Sequence, residues 1–172
     1  MKTDLADSAL AAWTTSNRVT TYLVEQIPAK LWSAAVPGIP SRTIREIAAH
    51  LHNARCRWIK TLGAEQGIAA PKRVDQRAVT RKQVVAALTK SSRGMLALLR
   101  LACRSGTLPL PKAYTWRNLA LDVGHVLTYF VAHDAHHRGQ IVMAARQLNH
   151  RFSNKVDGAL WWWRPRKGEL TP

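Results

Sequence analysis

The sequence predicts an all-α protein, a four-helix bundle built from four long amphipathic segments. Apolar residues recur in each segment at spacings of three, four and seven, which is the pattern of a helix with one buried face. Clusters of Pro and Gly separate the segments, and no strand-like alternation of useful length occurs. We therefore expect a single domain over residues 1–172, with a short segment after the last helix.

The first predicted helix covers residues 5–27. Its apolar residues form one stripe along the helix, which is available for burial against the rest of the protein. Pro28 marks the end, because proline cannot continue the backbone hydrogen bonding of a helix. Residues 33–42 contain two prolines and a glycine, so we predict a loop there.

The second predicted helix begins at a capping box. Thr43 and Glu46 have the spacing at which each side chain accepts a hydrogen bond from the backbone of the other residue. The apolar stripe then runs to about Leu62, and Gly63 favours an end at that point. The connection over residues 63–79 is longer than a typical hairpin loop, so the chain could cross over instead of following a simple up-down-up-down order.

The third predicted helix runs from a cap at Thr80 to about Arg104 and carries a basic stripe opposite its apolar face. Residues 72–112 hold ten Lys or Arg and one acid, a net charge of +9 within a chain of net charge +16. Such a charge suits nucleic acid or an acidic partner. The helix lacks the interleaved aromatic residues that stack on bases, which disfavours nucleic acid. A non-catalytic basic bundle is therefore the alternative to an enzyme.

The fourth predicted helix, over residues 118–148, contains a histidine cluster. Histidines four positions apart lie on one face, roughly 5–6 Å apart at Cβ, so His133 and His137 could hold one metal ion. His136 points about 100° away from His137. Gly139 lowers the stability of an isolated helix, so we expect it to permit the close approach of a neighbouring helix.

A third ligand could come from the second helix, which contains His50 and His52. Each lies about 90–110° from the centre of the apolar stripe, so periodicity does not choose between them. Three neutral nitrogen ligands suit zinc, nickel or ferrous iron. A site with three protein ligands keeps a position for water or substrate, which is typical of catalytic rather than structural zinc sites.

Other features indicate a cytoplasmic protein. The two cysteines, Cys56 and Cys103, form no disulfide framework, which fits a reducing compartment. The N-terminal residues do not resemble a signal peptide, and no apolar stretch reaches the 18 residues of a membrane-spanning helix. Neither cysteine is expected to be catalytic, because Cys56 has no sequence-adjacent base, and Cys103 lies on the apolar side of its helix and is expected to be a core residue.

Two segments of the sequence resemble the DinB/YfiT-like family of metalloenzymes. Residues 132–141, AHDAHHRGQI, resemble the motif of the family's last helix. Residues 50–58, HLHNARCRW, resemble its second-helix signature, in which an aromatic residue follows a histidine after eight positions. The tryptophans at residues 161–163, after a short post-bundle segment, are also similar to family members. The resemblance covers nearly the whole chain.

The resemblance implies a four-helix bundle with up-down-down-up connectivity and a homodimer. It also implies a divalent metal ion bound by His50, His133 and His137, with zinc or nickel favoured over iron or manganese. Arg55 stands where many family members carry an acid, so the resemblance gives no support to a carboxylate-assisted mechanism.

The expected function is that of a metal-dependent transferase or hydrolase. The ion would lower the pKa of a bound thiol or water, and the resulting nucleophile would attack a small electrophilic molecule. Thiol transfer with a low-molecular-weight thiol is preferred over hydrolysis by analogy with the family. The sequence identifies no catalytic side chain besides the three expected metal ligands, and neither a membrane nor a nucleic acid is expected as a partner of such an enzyme.

Overall fold

The computed structural model describes residues 4–112 and 119–161, and these residues are mostly helical. The four long helices are α1 (Leu5–Gln26), α3 (Ile44–Gly63), α4 (Arg81–Ser105) and α5 (Val123–Gln147). Two short helices, α2 (Ala29–Trp32) and α6 (Asn154–Trp161), and a 3-10 turn (Ala64–Gln66) accompany them. The prediction of a mainly helical chain is confirmed, and α1, α3 and α4 begin and end within one residue of their predicted bounds.

Side-chain caps determine where the long helices begin. Thr43 and Glu46 form the predicted capping box at the start of α3. The side chain of Thr80 accepts a hydrogen bond at the start of α4 in the same way. Helix α5 begins at Val123 and not near residue 118, because the Asp122 side chain accepts a hydrogen bond from a backbone N–H of the first turn.

A short β-hairpin replaces the loop that was predicted over residues 33–42. Strands β1 (Ala35–Val36) and β2 (Ile39–Thr43) pair antiparallel, and β2 leads directly into α3. Pro37 and Gly38 make the turn between the strands, and Gly38 has a φ of 79°, which glycine adopts without steric strain. The prolines and the glycine predicted the turn correctly, but the two short strands on either side of it were not predicted.

Contacts between α1 and α4 show that these helices run in opposite directions. Trp13, in the first half of α1, donates its indole N–H to Ser92 Oγ at 3.1 Å. Arg81, the first residue of α4, donates to the carbonyl oxygen of Ile27, which follows the end of α1.

Helix α3 lies between α4 and α5. Its Ile59 side chain fills the space beside Gly94, and Gly63 lies close to Leu98, so α3 and α4 run in the same direction. Towards α5 the order is reversed: the ring of His50 lies near that of His137, and Trp58 stacks on Phe130. These contacts bring the first half of α3 to the middle of α5.

The core has two apolar halves separated by a polar layer. One half contains Leu23, Leu51, Leu88 and Ile141, and the other contains Trp13, Trp58, Met95 and Phe130. On each long helix, buried polar residues lie between the residues of the two halves. These residues are Ser16, Thr20, His52, Asn53, Arg55, Ser91, Ser92, Asp134 and His137.

The described chain ends in α6, which is much shorter than the four long helices. Trp161 ends α6 with an exposed side chain, and Trp162 and Trp163 lie outside the described residues. None of the described helices combines the length and the apolar character that a membrane-spanning segment requires.

Candidate metal centre

Three imidazoles come together between α3 and α5. His50, His133 and His137 each offer one ring nitrogen, and these three atoms all lie within 4.8 Å of one another. The ring centroids of His133 and His137 are 4.5 Å apart, and those of His50 and His137 are 4.6 Å apart. A group of this kind could hold a metal ion.

The backbone explains why these three residues meet. His133 and His137 are four positions apart on α5, so both point from one face of that helix. His50 faces them from α3, which runs in the opposite direction to α5 and begins at the capping box. Three histidines that are far apart in the sequence thus form one compact group.

His52 lies outside the group, although it is two positions from His50. Its Nε2 atom is 3.0 Å from the carbonyl oxygen of Lys72 and 3.3 Å from Cys56 Sγ. Two positions correspond to about 200° around a helix, so His50 and His52 point in nearly opposite directions. The structure thus groups His50, and not His52, with the histidines of α5.

Burial and neighbouring positive charges keep two of the three histidines neutral. Burial lowers the pKa of His50 to about 4, and the neighbouring imidazoles and Arg42 act in the same direction. Burial also lowers the pKa of His137 to about 4, although the hydrogen bond that His137 donates to Gln140 acts in the opposite direction. Both imidazoles are therefore neutral near pH 7, with a lone pair on one ring nitrogen, which is the form that binds metal ions.

Gln140 sets the orientation of His137. The amide oxygen of Gln140 lies 2.8 Å from His137 Nδ1, and its amide nitrogen lies 3.0 Å from His136 Nε2. An amide oxygen only accepts hydrogen bonds, so Nδ1 of His137 carries the proton and Nε2 keeps its lone pair. This is the tautomer of a metal-binding histidine whose other nitrogen is held by a polar partner.

Next to His133 lies a buried ion pair between Arg55 and Asp134. The side chains of Arg55 and Asp134 are both fully buried, and the Arg55 guanidinium donates to Asp134 Oδ2. Burial by itself would raise the pKa of Asp134, but the Arg55 charge holds that pKa below its ordinary value. Asp134 is therefore a carboxylate.

The second oxygen of Asp134 faces His133. His133 Nδ1 lies 3.8 Å from Asp134 Oδ1, and both atoms are buried without a hydrogen-bond partner in the described part of the chain. A small rotation of the imidazole would let its Nδ1–H donate to this carboxylate oxygen, leaving Nε2 as a possible ligand atom. Metal-bound histidines commonly donate their other N–H to a carboxylate, so this pair of atoms fits a metal-binding role for His133.

Sequence reasoning missed the Arg55–Asp134 pair. Both residues are charged, and charged residues on predicted amphipathic helices are normally assigned to the solvent face. The one available signal was the position of Asp134, which is four residues after Phe130 and three before His137, within the buried seam of α5.

The other histidines and cysteines that the sequence analysis considered are not members of the three-histidine group. His136 and His125 are exposed. Cys56 is buried, and burial raises the pKa of its thiol to about 11. Two predictions were wrong. Cys103 is only half-buried and not a core residue. An added Cβ at Gly139 would have no atom of another described element within 4 Å, so none of the described helices approaches closely there.

Comparison with known proteins identifies the family of the chain. The family model described as DinB family matches residues 1–158, a range that includes all four long helices and His50, His133 and His137. Searches of curated proteins and of solved structures found no match. Because the family model covers most of its length, the chain belongs to the DinB family.

Proposed function

We propose that this protein is a metal-dependent enzyme whose divalent ion is held by His50, His133 and His137. The observation that carries the proposal is the convergence of three imidazole nitrogens from two helices. Nitrogen donors of this kind suit zinc or nickel and also ferrous iron, whereas manganese prefers oxygen ligands. Sites with three protein ligands keep a position for water or substrate, which favours a catalytic role.

The reaction that we propose is attack on a small electrophilic molecule, with thiol transfer preferred over hydrolysis. When bound, a divalent ion lowers the pKa of a coordinated thiol or water and so makes a nucleophile available near neutral pH. The thiol would have to come from a low-molecular-weight co-substrate. Within the described residues, Cys56 contacts His52 outside the group and its thiol pKa is raised to about 11, and Cys103 lies on α4.

The residues around the three histidines have supporting roles in this proposal. Gln140 holds the proton on His137 Nδ1, and Asp134 faces Nδ1 of His133. Arg55 keeps Asp134 ionised and ties α3 to α5. These residues would keep Nε2 of His133 and of His137 free to act as ligand atoms.

For the architecture, we propose an up-down-down-up four-helix bundle. The contacts that make α1 antiparallel to α4, α4 parallel to α3, and α3 antiparallel to α5 support this connectivity. The homodimer and the cytoplasmic location remain predictions.

The proposal is tested by elemental analysis of protein purified without a histidine tag or chelator. We expect roughly one divalent ion per chain in the wild type, since three histidines form one site. His50→Ala and His137→Ala should lose the ion, whereas His125→Ala, at an exposed histidine near the start of α5, is the control and should keep it. Metal loss in His52→Ala but not in His50→Ala would overturn the assignment, and absence of metal after reconstitution would overturn the proposed function.

A basic helical bundle that binds nucleic acid or an acidic partner is the second candidate. The observation in its favour is the exposure of five basic side chains on α4: Lys82, Lys90, Arg93, Arg100 and Arg104. An affinity for nucleic acid that falls steeply with salt and is unchanged in His137→Ala would support it. Absence of salt-dependent binding would reject it.

A further inference from the structure

A cavity of about 210 Å³ lies between the β-hairpin and α5, with Ile47 of α3 also in its lining. The hairpin contributes apolar side chains from Val36 and Ile39, and α5 contributes Met143. Ile39 and Met143 are about half exposed, so apolar surface continues to the mouth of the cavity. Apolar surface at a cavity mouth marks a place where a ligand could be held.

The cavity adjoins the histidine group. Gln140 is part of its lining and also holds His137 Nδ1 at 2.8 Å. Arg42 is part of the lining as well, and its positive charge lowers the pKa of both His50 and His137. A molecule in the cavity would therefore lie beside the histidines.

Arg42 is a charged residue of the cavity lining, and the described fold gives it no ion-pair partner. Its side chain is half-buried, yet no acidic group pairs with it in the described ranges 4–112 and 119–161. The acid closest to it in sequence, Glu46, accepts from the backbone N–H of Thr43 and so caps α3. A partly desolvated guanidinium without a counter-charge is unfavourable, and a bound anion would compensate it.

The size and the lining of the cavity define the chemical class of its ligand. At about 30 Å³ per water molecule, the cavity has room for roughly seven waters, which suits a small molecule. Its apolar walls favour a short hydrocarbon chain. The planar guanidinium of Arg42 matches the geometry of a carboxylate better than that of a neutral polar group.

We propose that the cavity between the β-hairpin and α5 binds a small carboxylate with a short apolar chain. Arg42 pairs with the carboxylate, and Val36, Ile39 and Met143 contact the chain. This inference rests on the proposed function, because it identifies the molecule as the substrate only if His50, His133 and His137 form the reactive centre.

The test is a calorimetric titration of metal-free protein with hexanoate and with its neutral analogue hexanamide. Metal-free protein is used because a carboxylate could otherwise bind to the ion. We expect the wild type to prefer hexanoate, and we expect Arg42→Gln to lose roughly tenfold in hexanoate affinity, as for a charge-assisted hydrogen bond. Arg42→Lys should retain part of the preference. Arg146→Gln, on α5 but outside the cavity lining, is the matched control and should bind like the wild type.

Two outcomes would overturn the inference. One is equal hexanoate affinity in the wild type and Arg42→Gln, with circular dichroism showing that both are folded. The other is equal affinity of the wild type for hexanoate and hexanamide.

A second measurement separates this inference from the proposed function. Cobalt-loaded protein should show a change in its visible absorption when hexanoate binds, and the change should be weaker in Arg42→Gln at the same hexanoate concentration. An equal change in both proteins would mean that the carboxylate binds the ion directly, which contradicts the role of Arg42. A protein that takes up no cobalt but prefers hexanoate through Arg42 would refute the metal site while supporting the carboxylate site.

Discussion

Arg55 of α3 and Asp134 of α5 form an ion pair in which both side chains are fully buried, and Asp134 directly follows His133 in the sequence. The same guanidinium donates to Asn17 Oδ1 at 2.7 Å and lies over the ring of Trp13 at 4.8 Å. The pair therefore connects α1, α3 and α5 within the polar layer of the core. Its position also fixes how α3, which carries His50, sits against α5, which carries His133.

Arg55→Met is expected to lower the free energy of unfolding by roughly 3–5 kcal/mol, because it leaves the carboxylate of Asp134 buried without its ion-pair partner. The measurement is urea denaturation of the metal-free protein at pH 7, which removes any contribution from metal binding.

The double variant Arg55→Met/Asp134→Leu provides the control for this prediction. Replacing both charges with apolar groups removes the uncompensated charge, so the double variant should be more stable than Arg55→Met alone. If the two single changes simply add, the ion pair does not couple the two helices energetically, and the prediction is wrong.

Asp134→Asn is expected to weaken metal binding by roughly 10- to 100-fold, the usual effect of losing a polar partner of a metal-bound histidine. The change keeps the shape of the side chain but removes the negative charge that faces His133 Nδ1. The affinity is measured by competition with a chromophoric chelator, on protein shown to be folded. Asp157→Asn, which removes a half-exposed carboxylate of α6, is the control and should not change the affinity.

The helices could be predicted from the sequence because local patterns determine them. Regular apolar spacing located α1, α3 and α4, and the Thr43 and Glu46 pair located the start of α3 correctly. The side on which His50 and His52 lie could not be predicted in this way, because each was at a similar angle from the apolar stripe. The two histidines differ in the part of the protein that each side chain contacts. His50 faces α5, whereas His52 contacts the segment around Lys72.

Long-range pairs explain most of what the sequence did not reveal. Arg55 and Asp134 are 79 positions apart, and neither residue indicates on its own that the other will neutralise it in the core. Strands of two and five residues, joined through Pro37 and Gly38, are too short for an alternating pattern to stand out. The cavity and the role proposed for Arg42 follow from that hairpin, so they too required the structure.

Gly139→Ala is expected to stabilise the protein by about 0.5–1 kcal/mol, because alanine loses less backbone entropy than glycine in a helix. In the part of the chain that the structure describes, an added Cβ at Gly139 meets no atom of another element within 4 Å, so no steric cost opposes this gain. Metal content should be unchanged, although the residue lies between His137 and Gln140. Thermal unfolding of the metal-free protein and elemental analysis of the purified protein check the two parts of the prediction.

Gly94→Ala, the same substitution in α4, is expected to destabilise the protein. An added Cβ would lie 2.6 Å from Ile59 Cδ1 and 3.1 Å from Ile59 Cγ1, so the fully buried Ile59 side chain of α3 would have to shift. Overpacking of this kind typically costs about 1–3 kcal/mol, which exceeds the gain in helix propensity. Equal unfolding temperatures for the two glycine variants would show that the close contact with Ile59 relaxes without energetic cost.

Cys56 is expected to react slowly with Ellman's reagent in the folded protein, and faster as the pH rises towards 11. The thiolate is the reactive form, and burial raises the pKa of this thiol to about 11, so roughly one molecule in a thousand is ionised at pH 8. Cys103 is half-buried and should react sooner, although burial also raises its pKa. The variants Cys103→Ser and Cys56→Ser isolate the two rates, and unfolded protein gives the reference rate for each. Reaction of Cys56 at pH 8 as fast as in the unfolded chain would contradict its burial. It would also make Cys56 a candidate nucleophile, and the co-substrate thiol of the proposed reaction would no longer be required.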